Sequence, residues 1–497
     1  MSVSKTTRRK FLKTTGAGVL TIPVIASSQT TPSGYSHSPN GHPRNIILIL
    51  SDDHRYDFMG FLGKPAFLET PNLDRMARSG AHLQNAFVTT SLCSPSRASI
   101  LTGLYSHKHR VVDNQAPLPE GLTFFPEALQ AAGYETAMFG KWHMGDADDA
   151  PQPGFDKWIS FRGQGEYYNP ELNIDGYRSR ITGYITDLLT GYALTWLSEE
   201  RDQNKPFFLY LSHKAIHAMF EPAKRHLYRY QNEKIVYPPS MADTESNYRG
   251  KPDWVRAQRN SWHGVDYMYH GQMDFEPFYR RYCETLLAVD ESIGQIIKYL
   301  EDHQMLDSTL VLYMGDNGFC FGEHGLIDKR HMYEESMRIP MLAHCPELIR
   351  AGDRIPQLVQ NIDVAPTLLD AAGLAPAEEM DGQSFLPLLK GEKPSWRDAV
   401  FYEYYWEWNF PQTPTMFGIR TKGLKYIHYH GIWDIDELYD LVNDPNEMNN
   451  LINDPSRQSD VLNLKRRVYE WLEKTGGMQI PLKRDQGFRA ADRRPSQ

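Results

Sequence analysis

Three stretches of the sequence, residues 45–50, 207–211 and 310–314, are apolar almost without interruption. A run this short and apolar on both faces reads as a central strand of a parallel sheet, since a strand with one wet face would alternate. Each run ends in polar residues: Ser51-Asp52-Asp53, Ser212-His213 and Gly315-Asp316-Asn317. Between them the apolar spacing becomes helical, as in residues 125–132 ahead of Gly133 and in residues 282–300. Strands alternating with helices predict an α/β fold: a large doubly wound sheet, mixed or parallel, flanked by helices. Sheets of this kind carry ligand sites beyond the carboxyl ends of their strands, so the three polar ends are expected to converge.

After about residue 392 the pattern changes. Aromatic, alternating segments at 400–408, 416–420 and 424–430 predict a smaller antiparallel sheet, closed by a helix at 461–474. The start of the chain differs again. Thr7-Arg8-Arg9-Lys10-Phe11-Leu12-Lys13 precedes a weakly apolar run that Pro23 interrupts, which is the pattern of a twin-arginine signal peptide. The organisation expected is therefore a signal peptide at 1–28, a linker at 29–43, a catalytic α/β domain at 44–391 and a C-terminal subdomain at 392–497. Export through the twin-arginine (Tat) translocon predicts a periplasmic or secreted protein. No run approaches the 18 apolar residues of a membrane span.

The 497 residues are 41% hydrophobic and 23% charged, which excludes disordered and collagen-like chains. Net charge is -9, and five of the 53 Lys and Arg residues sit in the first 13 positions. A broad electrostatic grip on nucleic acid is excluded, and any anionic ligand must sit in a local cationic pocket. Four cysteines, Cys93, Cys283, Cys320 and Cys345, are too few for a disulfide scaffold; at most one bridge is expected.

Asp52-Asp53 and Asp316-Asn317, at the ends of two core strands, offer carboxylates and an amide oxygen. Together they suit a hard divalent cation, Ca²⁺ or Mg²⁺. Helix caps or turns are the alternative reading, because Asp and Asn favour both. The string Cys93-Ser94-Pro95-Ser96-Arg97-Ala98-Ser99-Ile100-Leu101-Thr102-Gly103 carries more. A cysteine loop entering a helix accounts for its shape but not for its content. Cys-x-Pro-x-Arg followed by Leu-Thr-Gly resembles the signature of the type I sulfatases. Further similar blocks follow in order: Gly140-Lys141-Trp142-His143, Ser212-His213-Lys214-Ala215-Ile216-His217, and Gly315-Asp316-Asn317-Gly318. After these come Gly322-Glu323-His324-Gly325-Leu326-Ile327-Asp328-Lys329 and Glu437-Leu438-Tyr439-Asp440-Leu441. The likeness runs from Asn45 to about Leu451. The chain departs from it around the block at residues 212–217, where Ile216 and Met219 stand in place of prolines, so the register of His217 rests on its other neighbours.

The resemblance implies a set of roles. Cys93 would be oxidised to Cα-formylglycine by a formylglycine-generating or anaerobic sulfatase-maturating enzyme, its hydrate being the nucleophile. One divalent cation, Ca²⁺ foremost, would sit among Asp52, Asp53, Asp316, Asn317 and residue 93. Arg97, Lys141 and Lys329 would supply positive charge, His217 the proton for the leaving oxygen, and His143 the base that frees sulfate. The family fixes the sulfate end of the substrate only. Sugar contacts are expected from the aromatic and basic loops, namely His107, His263 and Trp406, with His109, Tyr167, Tyr168, Trp262, Tyr404 and Trp408 behind them. Export and such loops favour a polymeric or oligomeric sulfated sugar. The blocks at residues 212–217 and 322–329 resemble those of bacterial polysaccharide sulfatases, a group that acts on glycosaminoglycans and algal polymers such as ulvan or carrageenan. Alternatives are an arylsulfatase for small esters, a phosphonate or phosphate monoesterase of the same alkaline phosphatase superfamily, and a catalytically silent carbohydrate binder.

Overall fold

A computed structural model describes residues 43–145 and 148–481; the twin-arginine tract, all but the end of the linker, and residues 482–497 lie outside them. The three apolar runs form β1 (Ile46–Ser51), β7 (Phe207–Ser212) and β8 (Leu310–Gly315). Earlier in the chain lie β2 (Ala81–Phe87), β3 (Glu135–Lys141), β4 (Lys157–Phe161), β5 (Glu171–Ile174) and β6 (Tyr177–Arg180). Later come β9 (Cys320–Phe321), β10 (Ile327–Asp328), β11 (Arg338–Ile339), β12 (Met341–His344) and β13 (Asp353–Gln360). The main sheet runs β11-β2-β12-β8-β1-β7-β3-β4-β5-β6, with β13 paired to β2. It is mixed: β8, β1, β7, β3 and β4 are parallel, whereas β12 and the β5–β6 hairpin run against their neighbours. The expected α/β class is borne out.

β1 is central and wholly buried, and its side chains divide strictly by parity. Ile46, Leu48 and Leu50 join a core with Ile100, Leu129 and Leu368. Ile47 and Ile49 face the opposite layer, with Leu73, Leu189 and Ile293. This two-sided burial is why the strand is continuous in apolar residues. The helix expected over 282–300 is longer, Phe275–Asp302, and buries Phe278, Tyr282, Leu286, Val289, Ile293 and Ile296 at helical spacing.

The second sheet is four-stranded and antiparallel: β14 (Ala399–Tyr404), β15 (Met416–Thr421), β16 (Leu424–Tyr429) and β17 (Glu437–Asp440). The helix Gln458–Thr475 covers it through Leu464, Val468, Trp471 and Leu472. The alternation at 400–408 ends as a strand at Tyr404, so Trp406 and Trp408 lie in a loop. Among the described residues all four cysteines are free and buried, and no helix is long and apolar enough to cross a membrane.

His107 is placed differently from its sequence expectation. It lies under this second sheet, its ring 5.8 Å from that of Trp471. Nδ1 is 2.8 Å from Glu403 Oε2, and Nε2 is 3.2 Å from the Thr475 carbonyl oxygen. Burial lowers the His107 pKa, but Glu403 outweighs it and raises the value; burial raises Glu403, and His107 returns it below the usual range. The histidine thus contributes stability that is complete below its unfolded value near 6.5 and is lost as pH rises through the raised folded value. Glu403 contributes above about 4.5, so the pair is fully formed between about pH 4.5 and 6.5. His107→Gln is expected to lower stability by about 3 kcal/mol in that window and by less at higher pH, read from melting curves across pH. A deficit that does not vary with pH removes the ion pair as its cause.

Candidate active site

The register between β1 and β8 pairs Ser51 with Gly315, so the residues just beyond each strand meet. The Asp53 backbone N–H donates to Asp316 Oδ1 at 3.0 Å, and Asn317 Nδ2 donates to Asp53 Oδ1 at 2.7 Å. One oxygen from each of Asp52, Asp53 and Asp316 lies within 4.8 Å of the others, all fully buried. Such a knot of carboxylates needs positive charge.

Four elements bring it. The helix Cys93–Thr102 is buried along its whole length and stops at Gly103, whose φ of +71° suits a residue without Cβ. Cys93 and Arg97 are four apart and share a face of this helix. Cys93 Sγ lies 3.4 Å from Asp52 Oδ1. Arg97 reaches Asp316 Oδ2 at 2.8 Å, and its other arm donates to the Lys141 carbonyl at 2.7 Å and to Ser212 Oγ at 2.6 Å. Lys141, at the end of β3, donates to Asp52 and to Gln164. Gly140 allows β3 to pass close to β7: at φ +119° a Cβ would sit 1.8 Å from the Ser212 carbonyl oxygen. Lys329, beyond β10, donates to Asp53. His217, on the loop after β7, offers a ring nitrogen within 4.8 Å of ligand atoms of Asp52 and Cys93.

The charges are uneven. Burial raises Asp52, but Lys141, His217 and Arg97 together hold it well below the usual carboxylate range. Asp53 is held well above that range by burial and by Asp52, Asp328 and Asp316, against Lys329. Burial, then Lys141 and Lys329, depress His217. Burial, with Asp52 adding to it, pushes the Cys93 thiol far up, so as a thiol it is a poor nucleophile. Two buried oxygens, Asp53 Oδ2 and Asn317 Oδ1, have no hydrogen-bond partner. Three carboxylates and an unsatisfied amide oxygen fit a hard dication.

The structure therefore brings Asp52, Asp53, Cys93, Arg97, Lys141, His217, Asp316, Asn317 and Lys329 together. His143 stands at the edge: its carbonyl accepts from Ser94 Oγ, and its Nε2 is 3.3 Å from Gln164 Nε2. His213 turns away, with Nε2 3.1 Å from Ser292 Oγ in the core. Outside His217 and Lys329 opens a cleft of about 1280 Å³. Trp262, His263, Trp406 and Trp408 line it; Trp406 and Trp408 are each 43% exposed. His263 commits Nε2 to Asp328 Oδ2 at 2.9 Å. His107, His109 and Tyr404 are buried outside the cleft, because Glu403, Ser99 and Glu407 respectively claim their polar atoms.

Ser212 stands at one of the three strand ends expected to converge, whereas sequence reasoning missed Gln164 and the Asp328–Arg330–Glu407 chain on the cleft wall, in which Arg330 meets Asp328 at 2.9 Å and Glu407 at 2.7 Å. Gln164 sits between two glycines with no spacing signal. Arg330 follows directly on the quoted block that ends at Lys329, but its partner Glu407 is 77 residues away.

A mixed α/β sheet with a buried acid cluster at this edge, beside a buried helix that begins at a cysteine, is the architecture of the alkaline phosphatase superfamily. The family model for sulfatases matches residues 44–374, and one for the C-terminal region of N-sulphoglucosamine sulphohydrolase matches residues 322–474. The chain belongs to the sulfatase family and is a sulfuric ester hydrolase. It is 34% identical to the N-acetylglucosamine-6-O-sulfatase of Bacteroides thetaiotaomicron, over 86% of this chain and 85% of that protein. The N-acetylglucosamine-6-sulfatase of Homo sapiens is 31% identical over 75% of this chain and 69% of its own length. The solved structure of BT4656 in complex with its substrate D-glucosamine-2-N,6-O-disulfate superposes with a TM-score of 0.83 at 32% identity, covering 89% of this chain and 100% of that one.

Gln164 ties Lys141 to His143 without reaching the acid cluster. Gln164→Ala is expected to lower kcat for an aryl sulfate by about 10- to 100-fold with the melting temperature nearly unchanged. An unaltered kcat would remove Gln164 from the site's supporting contacts.

Proposed function

We propose that this protein removes the 6-O-sulfate from N-acetylglucosamine or glucosamine units of glycosaminoglycan-type sugars. It does so after Cys93 has become Cα-formylglycine and one Ca²⁺, or Mg²⁺, has bound among Asp52, Asp53, Asp316 and Asn317. The observation that carries this reading is the near full-length likeness to the bacterial N-acetylglucosamine-6-O-sulfatase. A sugar-sized cleft ending at His217 and Lys329 supports it. The twin-arginine pattern supports export to the periplasm as part of the same reading.

Formylglycine at residue 93 would supply an oxygen nucleophile in place of the thiol, held beside Asp52 and Arg97. The dication supplies Lewis-acid charge for sulfuryl oxygens and lowers the pKa of a neighbouring hydroxyl. The remaining work belongs to the chain. Arg97, held on Asp316, Ser212 and the Lys141 carbonyl, keeps the acids in place beside residue 93. Lys141 and Lys329 bring fixed ammonium groups to an ester that carries negative charge, and preorganised charge of this kind is commonly the largest catalytic contribution. His217 is neutral in the ligand-free site because burial and these two lysines disfavour its proton. An anionic ester between them offsets those charges, so substrate binding and protonation of His217 reinforce each other. The protonated ring then gives its proton to the leaving sugar oxygen. His143 is the base that assists sulfate release. On the sugar side, Asp328, Arg330 and Glu407 offer hydrogen bonds to ring hydroxyls, and Trp406 and Trp408 offer apolar faces.

Peptide mass spectrometry across residue 93 is expected to find a loss of about 18 Da, CH₂SH having become CHO. Active protein that keeps the thiol overturns the nucleophile assignment. Matured enzyme is expected to release sulfate from N-acetylglucosamine-6-sulfate and to be far slower on N-acetylgalactosamine-6-sulfate, carrageenan and ulvan fragments and aryl phosphate. Turnover confined to an algal oligosaccharide overturns the substrate. Ca²⁺ added to chelator-treated protein is expected to raise the melting temperature, by about 2.7 kcal/mol in stability at 100 times Kd. Asp53→Asn with Asn317→Ala is expected to abolish that rise; its persistence moves the cation elsewhere.

A further inference from the structure

A second convergence of ligand atoms lies apart from the acid cluster. His324, Glu335 and Glu447 offer a ring nitrogen and two carboxylate oxygens within 4.8 Å of one another, and all three residues are buried. They come from three segments: the turn between β9 and β10, the short helix Glu334–Met337, and the loop after β17. Glu447 is partly engaged, its Oε2 accepting from the Glu334 N–H at 2.8 Å and its Oε1 lying 2.7 Å from Lys425 Nζ. His324 Nδ1 and Glu335 Oε2 are buried without any hydrogen-bond partner. Leaving such atoms bare forfeits the hydrogen bonds they would make to water.

Glu334, Glu335, Glu437 and Glu447 gather here with Lys251, Lys425, Arg420 and Arg338 set among them, four acids against four bases, so geometry and not net charge singles out the three converging atoms. A single water has a proton for each of His324 Nδ1 and Glu335 Oε2, whereas a cation also takes Glu447 into the same set. One imidazole with two carboxylates is a mixed nitrogen and oxygen set, unlike the all-oxygen set beside Cys93, and it suits Zn²⁺ better than Ca²⁺. Ligands on a tetrahedral centre with bonds of about 2.0–2.1 Å stand roughly 3.4 Å apart, so the side chains would close by no more than about 1.4 Å. Access exists: Glu335 and Asn446, the neighbour of Glu447, line a separate cavity of about 870 Å³.

We propose that His324, Glu335 and Glu447 form a second, structural site for a divalent first-row cation, best matched by Zn²⁺. Such an ion fastens the loop of the four-stranded sheet to the segment that runs through β10 into Lys329. The site is independent of the substrate assigned above.

The test uses the full chain carrying Asp53→Asn and Asp316→Asn, which removes carboxylates of the other cluster. After chelator treatment, one equivalent of zinc chloride and desalting, about one zinc per chain is expected to remain by elemental analysis, with a raised melting temperature. Adding His324→Gln is expected to bring zinc to background. Background zinc before that change, as for a buried water, overturns the proposal, and so does zinc that His324→Gln leaves untouched. Should either variant fail to fold, zinc X-ray absorption of the unaltered, Ca²⁺-saturated chain decides. An imidazole nitrogen at about 2.0–2.1 Å supports the site, and an all-oxygen shell overturns it.

Discussion

Three carboxylates packed out of water at the edge of one sheet are the constraint to which the rest of this molecule answers. The pairing of Ser51 with Gly315 forces Asp52, Asp53 and Asp316 together. Two like charges 4 Å apart at an effective dielectric of 20 repel by about 4 kcal/mol. That repulsion is met by Arg97 from a buried helix, Lys141 from β3 and Lys329 from beyond β10, each brought from a different part of the chain. Those three elements meet at one point because each delivers a charge there. The uneven result, with Asp52 held ionised and Asp53 pushed toward its neutral form, leaves room for one more positive charge between them.

The labour divides between the two sheets. The large sheet holds the acid cluster at the ends of strands fixed by burial on both sides. The smaller sheet and its loops supply the outer wall, where Trp406, Glu407 and Trp408 line the cleft. Chemistry on a rigid scaffold with selection on loops lets one family meet many sugars, because loop residues change without disturbing the strand register.

How much of this could be read from sequence follows from how local each signal is. β1, β7 and β8 were legible because strands buried on both faces carry no polar interruption, and their polar ends pointed to the acid cluster. β12 escaped because it is four residues long, and the β5–β6 hairpin because all of β6 is exposed and lacks apolar alternation. His107 looked like a ligand for want of knowing its partner: Glu403 lies 296 positions away, and nothing near His107 announces it. Tyr404 misled for the opposite reason, since an aromatic stripe looks the same whether it faces a sugar or the core. Gln164 carried no pattern at all.

The helix that begins at Cys93 has no wet side, and Cys93 itself is fully enclosed. Any catalyst that must grasp the peptide around that thiol therefore has a time limit set by folding. It can work only on a strand still loose, before the helix docks against the sheet. Once folded, the molecule closes its thiol to any reagent of macromolecular size.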